Sequence, residues 1–211
     1  MGLMPKVLLI SKPLNPPWTD AAKNLARDVA LACSDTRFYA LVESGQEFRA
    51  QNVRWEAVYS PDDEFQSVLW DKFKLFLRIV KPDELGLYHF FFAPNPVTSR
   101  MIQFALNMKG FQRSVQTICS QPKSYHGIKK LMFGDQVVAV SDDTYSHLKK
   151  AGVENVRRIY PAVADVSVPD KSEITALRRH FTLPDDATLL FYPGDLEFSN
   201  ATDTLQSALE E

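Results

Sequence analysis

The chain has 211 residues, 45% of them hydrophobic and 24% charged, with a net charge of −2. That is room for one large globular domain, or one domain plus a piece of another, and the near-neutral charge removes the electrostatic case for nucleic acid. Two cysteines, Cys33 and Cys119, exclude a disulfide framework, and no apolar run reaches the ~18 residues that a transmembrane helix needs.

The elements alternate along the chain. A strand is predicted over 6–11; its apolar run, 7–10, is too short for a secretory signal. A loop with Pro13, Pro16 and Pro17 follows, and Thr19 or Asp20 caps a helix over 21–33 whose inner stripe is Leu25, Val29 and Ala32. Strands over 37–42 and 53–59 flank a polar loop. Asp62 or Asp63 caps a helix over 64–80, with Phe65, Leu69, Phe73, Phe76 and Val80 on one side and Lys72, Lys74, Arg78 and Lys81 on another. Two readings of it stand side by side: a core helix with a solvated basic face, or an interfacial helix that docks on an anionic membrane. A near-continuous hydrophobic run over 85–92 is a central strand and contains His89. Thr98 or Ser99 caps a helix over 100–109, and Gly110 ends it. A strand over 114–119, a polar loop and a short helical piece over 128–133 come next.

Residues 133–165 are the most ordered in pattern. Val137 to Val140 is a compact β-branched run; Ser141, Asp142 and Asp143 each offer a cap to a helix over 144–150 with Tyr145, Leu148 and Ala151 inward; Gly152 stops it; a strand over 156–160 ends at Pro161. The region 166–172 reads as an interdomain linker. A helix over 172–181, a buried-type strand over 188–192 and a helix over 201–209 follow. Alternating strands and helices predict an α/β fold: an open, mostly parallel sheet with helices on both faces.

Gly134-Asp135, Val138, Val140-Ser141, Leu148, Gly152-Val153, Ile159, Pro161, Val163 and Asp165 stand in the order of a segment of the family-4 nucleotide-sugar glycosyltransferases of the GT-B fold. The chain resembles that family again at Leu189-Leu190-Phe191-Tyr192-Pro193-Gly194-Asp195-Leu196 and at Leu205 and Ala208-Leu209. The resemblance implies a Rossmann-like, acceptor-side N-terminal domain over 1–165. After the linker, the truncated start of a nucleotide-sugar domain would occupy 173–211. The activity implied is transfer of a sugar from a nucleoside diphosphate sugar to an acceptor hydroxyl, with retention and without cofactor or metal. Residues 1–211 alone are expected to be inactive, because half a cleft cannot orient both reactants. The partners implied are the donor and a sugar or lipid-linked acceptor, in the cytoplasm or at the inner membrane face. The alternative is a non-catalytic sugar- or nucleotide-binding module.

Loops at the carboxyl ends of parallel strands line such a cleft, which selects 11–19, 89–95, 119–125 and 141–142. The candidates there are Trp18, Thr19, Asp20, Asn95, Cys119, Ser120, Tyr125 and Ser141 for the acceptor, with His89 as the catalytic candidate. His89 matches a frequent histidine of the family; as a core histidine it would do nothing chemical. Cys119 stands near a family histidine, and a thiol of pKa ~8.5 does not replace an imidazole as proton carrier. On the donor side Gly194 matches a phosphate-approach glycine, while Asp195 and Asn200 stand where the family carries basic residues.

Overall fold

A computed structural model describes residues 4–61, 68–110, 113–162, 167–184, 186–189 and 206–208. The chain divides into two compact units, Met1–Ala162 and Val163–Glu211. The first contains β1 (Lys6–Ile10), α1 (Ala21–Ala32), β2 (Arg37–Glu43), β3 (Val53–Tyr59), α2 (Leu69–Val80), β4 (Leu87–Phe91), α3 (Pro96–Lys109), β5 (Ser114–Ile118), a 3-10 turn (Ile128–Leu131), β6 (Gln136–Ala139), α4 (Asp142–Lys150) and β7 (Val156–Arg158). The second contains α5 (Lys171–His180).

The strands form one seven-stranded sheet in the order β3-β2-β1-β4-β5-β6-β7. Every pairing is parallel, so the sheet expected to be mostly parallel is wholly so. Alternate side chains of each strand point to opposite faces. Leu8, Ile10, Tyr88 and Phe90 meet Leu75 and Ile79 of α2 and Ile102 and Ala105 of α3. Val7, Leu9 and Phe91 meet Ala26 and Ala30 of α1. Val137 and Ala139 pack with Leu148 and Val153 in a third cluster. Each large side chain so buried contributes roughly 1.5–3 kcal/mol, which is why central strands read as hydrophobic runs.

Helix starts follow their capping chemistry, not always at the expected residue. Asp20 accepts the Lys23 backbone N–H at 3.0 Å and opens α1. In α1 the buried positions are Lys23, Ala26 and Ala30; Leu25 and Val29 pack only partly against the core, and Ala32 is exposed. α3 begins earlier than predicted, because Asn95 rather than Thr98 or Ser99 is the cap, accepting the Thr98 backbone N–H at 2.9 Å with Pro96 in the first turn. α4 begins at Asp142, capped by Ser141. Gly152 takes the left-handed φ of +81° that stops this helix.

The inner face of α2 is the main correction. The predicted stripe included Leu69 and Phe73, yet both are exposed, while Asp71, Leu75, Arg78 and Ile79 are buried. Ser60 binds Asp71, and Glu56 and Asp83 bind Arg78. These partners turn the polar positions inward and override the apolar periodicity. The predicted caps Asp62 and Asp63, and Phe65 of the expected stripe, lie outside the described residues.

In the second unit Asp170 and Glu173 form a capping box that opens α5. The helix therefore starts at Lys171, inside the expected linker. Of the predicted strand over 188–192, residues 188–189 are described and are not strand; of the predicted helix over 201–209, residues 206–208 are helical. The remainder of both lies outside the described residues.

Candidate functional site

The direction of chain progression reverses between β1 and β4, and in an open parallel sheet the crevice beyond that point is where ligands bind. A pocket of about 180 Å³ lies there. Ser11 and Lys12 follow β1, Phe92 and Asn95 follow β4, Asp71 and Lys72 come from the first turn of α2, and Thr98 comes from α3. The volume is below the ~300–1,000 Å³ of a typical ligand pocket.

The walls are held by hydrogen bonds. The Tyr59 hydroxyl donates to the Ser11 carbonyl at 2.9 Å, and burial raises the Tyr59 phenol far above its ordinary value. Asp71 accepts from the Ser60 backbone N–H at 3.1 Å and from its hydroxyl at 2.8 Å. Lys12 Nζ pairs with Asp20 at 2.7 Å. Burial alone would raise the Asp20 carboxyl, but hydrogen bonds from Lys12 and the Lys23 backbone hold it below 3.8. With Asn95 Oδ1 occupied in capping, the pocket presents an amide, the hydroxyls of Ser11, Tyr59 and Thr98, two lysines and the Asp71 carboxylate. That set suits a ligand rich in hydroxyls, with Lys72 placed for an anionic group.

Of the residues singled out from the sequence, Asn95 lines this pocket and the others do not. Cys119, Ser120 and Ser141 line a different pocket of about 470 Å³ beyond β5 and β6, with Gln121 and Asp143. Burial, with a smaller contribution from Asp20, pushes the Cys119 thiol up to about 12, so it is protonated at neutral pH. Asp142 and Asp143 sit in the first turn of α4, which makes that helix start unfavourable for a phosphate. Tyr125 stacks on His147 at 4.6 Å between ring centroids. Trp18 meets Phe48 edge-on at 5.8 Å under the Arg27 guanidinium, 4.8 Å from its ring centre. It borders a third pocket, of about 580 Å³. Thr19 is exposed and Asp20 is the α1 cap.

His89 lies in the middle of β4, on the face shared with Leu87 and Phe91, opposite Tyr88 and Phe90. It therefore faces away from the switch-point pocket. Its Nε2 is 2.8 Å from Thr117 Oγ1, and burial lowers its pKa to about 4, so the ring is neutral at pH 7. Gly194, Asp195 and Asn200 lie outside the described residues. Tyr59, Asp71, Lys72 and Thr98 went unread as site residues. The signal for Lys72 and Thr98 was their place in the first turn of a helix that follows a strand, which becomes decisive only once the strand order is known.

Among the described residues no group of three or more His, Cys, Asp or Glu could hold a metal ion, and no helix is long and apolar enough to cross a membrane. The chain matches no family model and no curated protein at a significant level.

Proposed function

We propose that this chain is the acceptor-side, N-terminal part of a glycosyltransferase that uses a nucleoside diphosphate sugar as co-substrate. The observation that carries the reading is the switch-point crevice between β1 and β4, lined by Ser11, Lys12, Lys72, Asn95 and Thr98; the motif order from Gly134 to Asp165 supports it. Ser11, Asn95 and Thr98 would orient acceptor hydroxyls, and Lys12 and Lys72 an anionic group. In the reaction an acceptor oxygen bonds to the anomeric carbon and the bond from that carbon to the diphosphate oxygen breaks. The diphosphate leaves with the electron pair, and the hydroxyl proton passes to it or to solvent. Retention of anomeric configuration follows from the sequence resemblance, and two unpaired thiols favour the cytoplasm.

A second reading, a binding module without catalysis, is favoured by the neutral His89 and the protonated Cys119. Neither titrates near neutral pH, so neither serves as a proton carrier there. The test is transfer of labelled hexose from uridine and guanosine diphosphate hexoses to glycosides by the native gene product. The expected result is transfer that falls about tenfold or more in Lys72→Met, the loss of one charge-assisted hydrogen bond. Transfer indifferent to Lys72→Met and Thr98→Val overturns the site. Binding of glycosides without transfer selects the second reading.

A further inference from the structure

The outer faces of α2 and α3 carry large apolar side chains that nothing among the described residues covers. On α2, Leu69 is 83% exposed and Trp70 60%, with Phe73 and Leu77 close to half-exposed; on α3, Val97, Phe104 and Met108 are each 60% exposed or more. Leu69, Phe73 and Leu77 recur every four residues and form one stripe; Val97, Phe104 and Met108 form another. The stripes meet where the Phe76 ring stacks on Phe104, with centroids 6.0 Å apart. Single exposed apolar residues are ordinary, but a joined patch across two packed helices marks an interaction surface.

The charges on these helices identify the occupant. The only acidic residue in α2 or α3 is Asp71, and its side chain is 3% exposed. Helical spacing sets Lys72 and Lys74 on opposite flanks of the α2 stripe, Lys74 Nζ lying 3.8 Å from the buried Asp71 carboxylate while its side chain stays 35% exposed, and sets Arg100 beside the α3 stripe. The face is thus apolar at the centre, cationic at the rim and free of exposed carboxylate on either helix. A second copy of the chain would be repelled, because a two-fold contact brings this face onto itself and its cations with it.

We propose that α2 and α3 dock side by side on an anionic lipid bilayer, with Leu69, Phe73, Phe104 and their neighbours in the acyl boundary. The rim cations would lie among the headgroups. Trp70 sits at the amphipathic boundary that its ring favours. Lys72 also lines the switch-point pocket, so docking would hold the mouth of that pocket at the lipid surface. This inference does not rest on the transfer reaction.

The test is co-sedimentation with vesicles of phosphatidylcholine alone or with roughly 30% phosphatidylglycerol, together with quenching of Trp70 by brominated acyl chains. Trp70→Phe supplies the blank. The expected result is binding to the anionic vesicles about thirtyfold tighter than to the neutral ones, from the rim cations. Binding should disappear in Leu69→Glu/Phe73→Glu/Phe104→Glu. These side chains are on the surface, so an unchanged circular dichroism spectrum checks that the variant folds. Lys74→Gln/Arg100→Gln should weaken anionic binding severalfold while leaving the fold unchanged. Absent binding, equal binding to both vesicles, or binding that survives the triple variant overturns the proposal. Dimerisation in solution that the triple variant abolishes also overturns it and assigns the face to a second copy. Transfer to a water-soluble glycoside is read separately, and its failure bears on the reaction alone.

Discussion

Arg78→Leu should remove about 3 kcal/mol of stability, because it deletes the centre of a buried ion-pair network. The Arg78 side chain is 8% exposed. Its Nη2 donates to Glu56 Oε1 at 2.9 Å, its Nε donates to the same carboxylate, and its Nη1 donates to Asp83 Oδ2 at 2.7 Å. Asp83 also receives Lys109 Nζ at 2.7 Å. Breaking one member of a buried pair costs ~3–5 kcal/mol. The lower end applies here, because Glu56 keeps 31% of its side-chain exposure and Asp83 keeps Lys109. In urea, with a slope of about 2 kcal/mol per molar, the midpoint should fall by about 1.5 M. Arg78→Leu/Glu56→Leu should recover at least about 1 kcal/mol of the loss, since no charge is then stranded. Burial alone would raise the Asp83 carboxyl, but hydrogen bonds from Lys109 and Arg78 outweigh it and hold it below 3.8. Its contribution is therefore present above pH 3.8 and is lost as pH falls through the lower folded value. A midpoint for Arg78→Leu within about 0.3 M of wild type at pH 7, or a double variant as unstable as the sum of the singles, would refute this account.

The His89 imidazole, lowered by burial to about 4, should show no NMR titration between about pH 5 and 8. Its folded value lies below 6.5, so the unfolded chain takes the proton first on acidification. Stability should drop by about 3 kcal/mol from pH 6.5 through pH 4; an NMR midpoint near 6.5 would contradict this. Exposed Cys33 should react with a thiol reagent at least about a hundredfold faster than Cys119, and equal rates would show the Cys119 thiolate to be accessible. Gly134→Ala would set a Cβ 2.6 Å from the Gln136 carbonyl oxygen and 2.8 Å from the Gln116 nitrogen. Neither backbone atom can retreat cheaply, so a cost of roughly 3 kcal/mol is expected in urea, and an unchanged midpoint would disprove the close approach.

The sheet was legible because its central strands are largely buried on both faces. Val137 to Ala139 and Tyr88 to Phe91 had to be hydrophobic runs, and Gly152 had to stand where φ is positive. The orientation of α2 was not legible, because Glu56, Ser60 and Asp83 decide it from other parts of the chain. α3 began at Pro96 because Asn95 is a better-placed cap than Thr98, a choice that local sequence leaves open. The pocket was half legible. The rule about strand ends selects the stretches 11–19 and 89–95, which hold Ser11, Lys12 and Asn95, though of these three only Asn95 is among the named candidates. Only the order of strands shows that β1 and β4 are neighbours, and so brings Lys72 and Thr98 to the same place. The alternation of side chains along β4 turns His89 away from them, a fact hidden until Tyr88 and Phe90 are seen against α2 and α3.

Amide-resolved NMR of the chain titrated with hexose glycosides tests most directly whether the switch-point crevice is the ligand site. The account predicts shifts gathered at Ser11, Lys12, Lys72, Asn95 and Thr98, weakened in Thr98→Val. Shifts confined to Cys119, Ser120 and Ser141, or to Trp18 and Phe48, would contradict it.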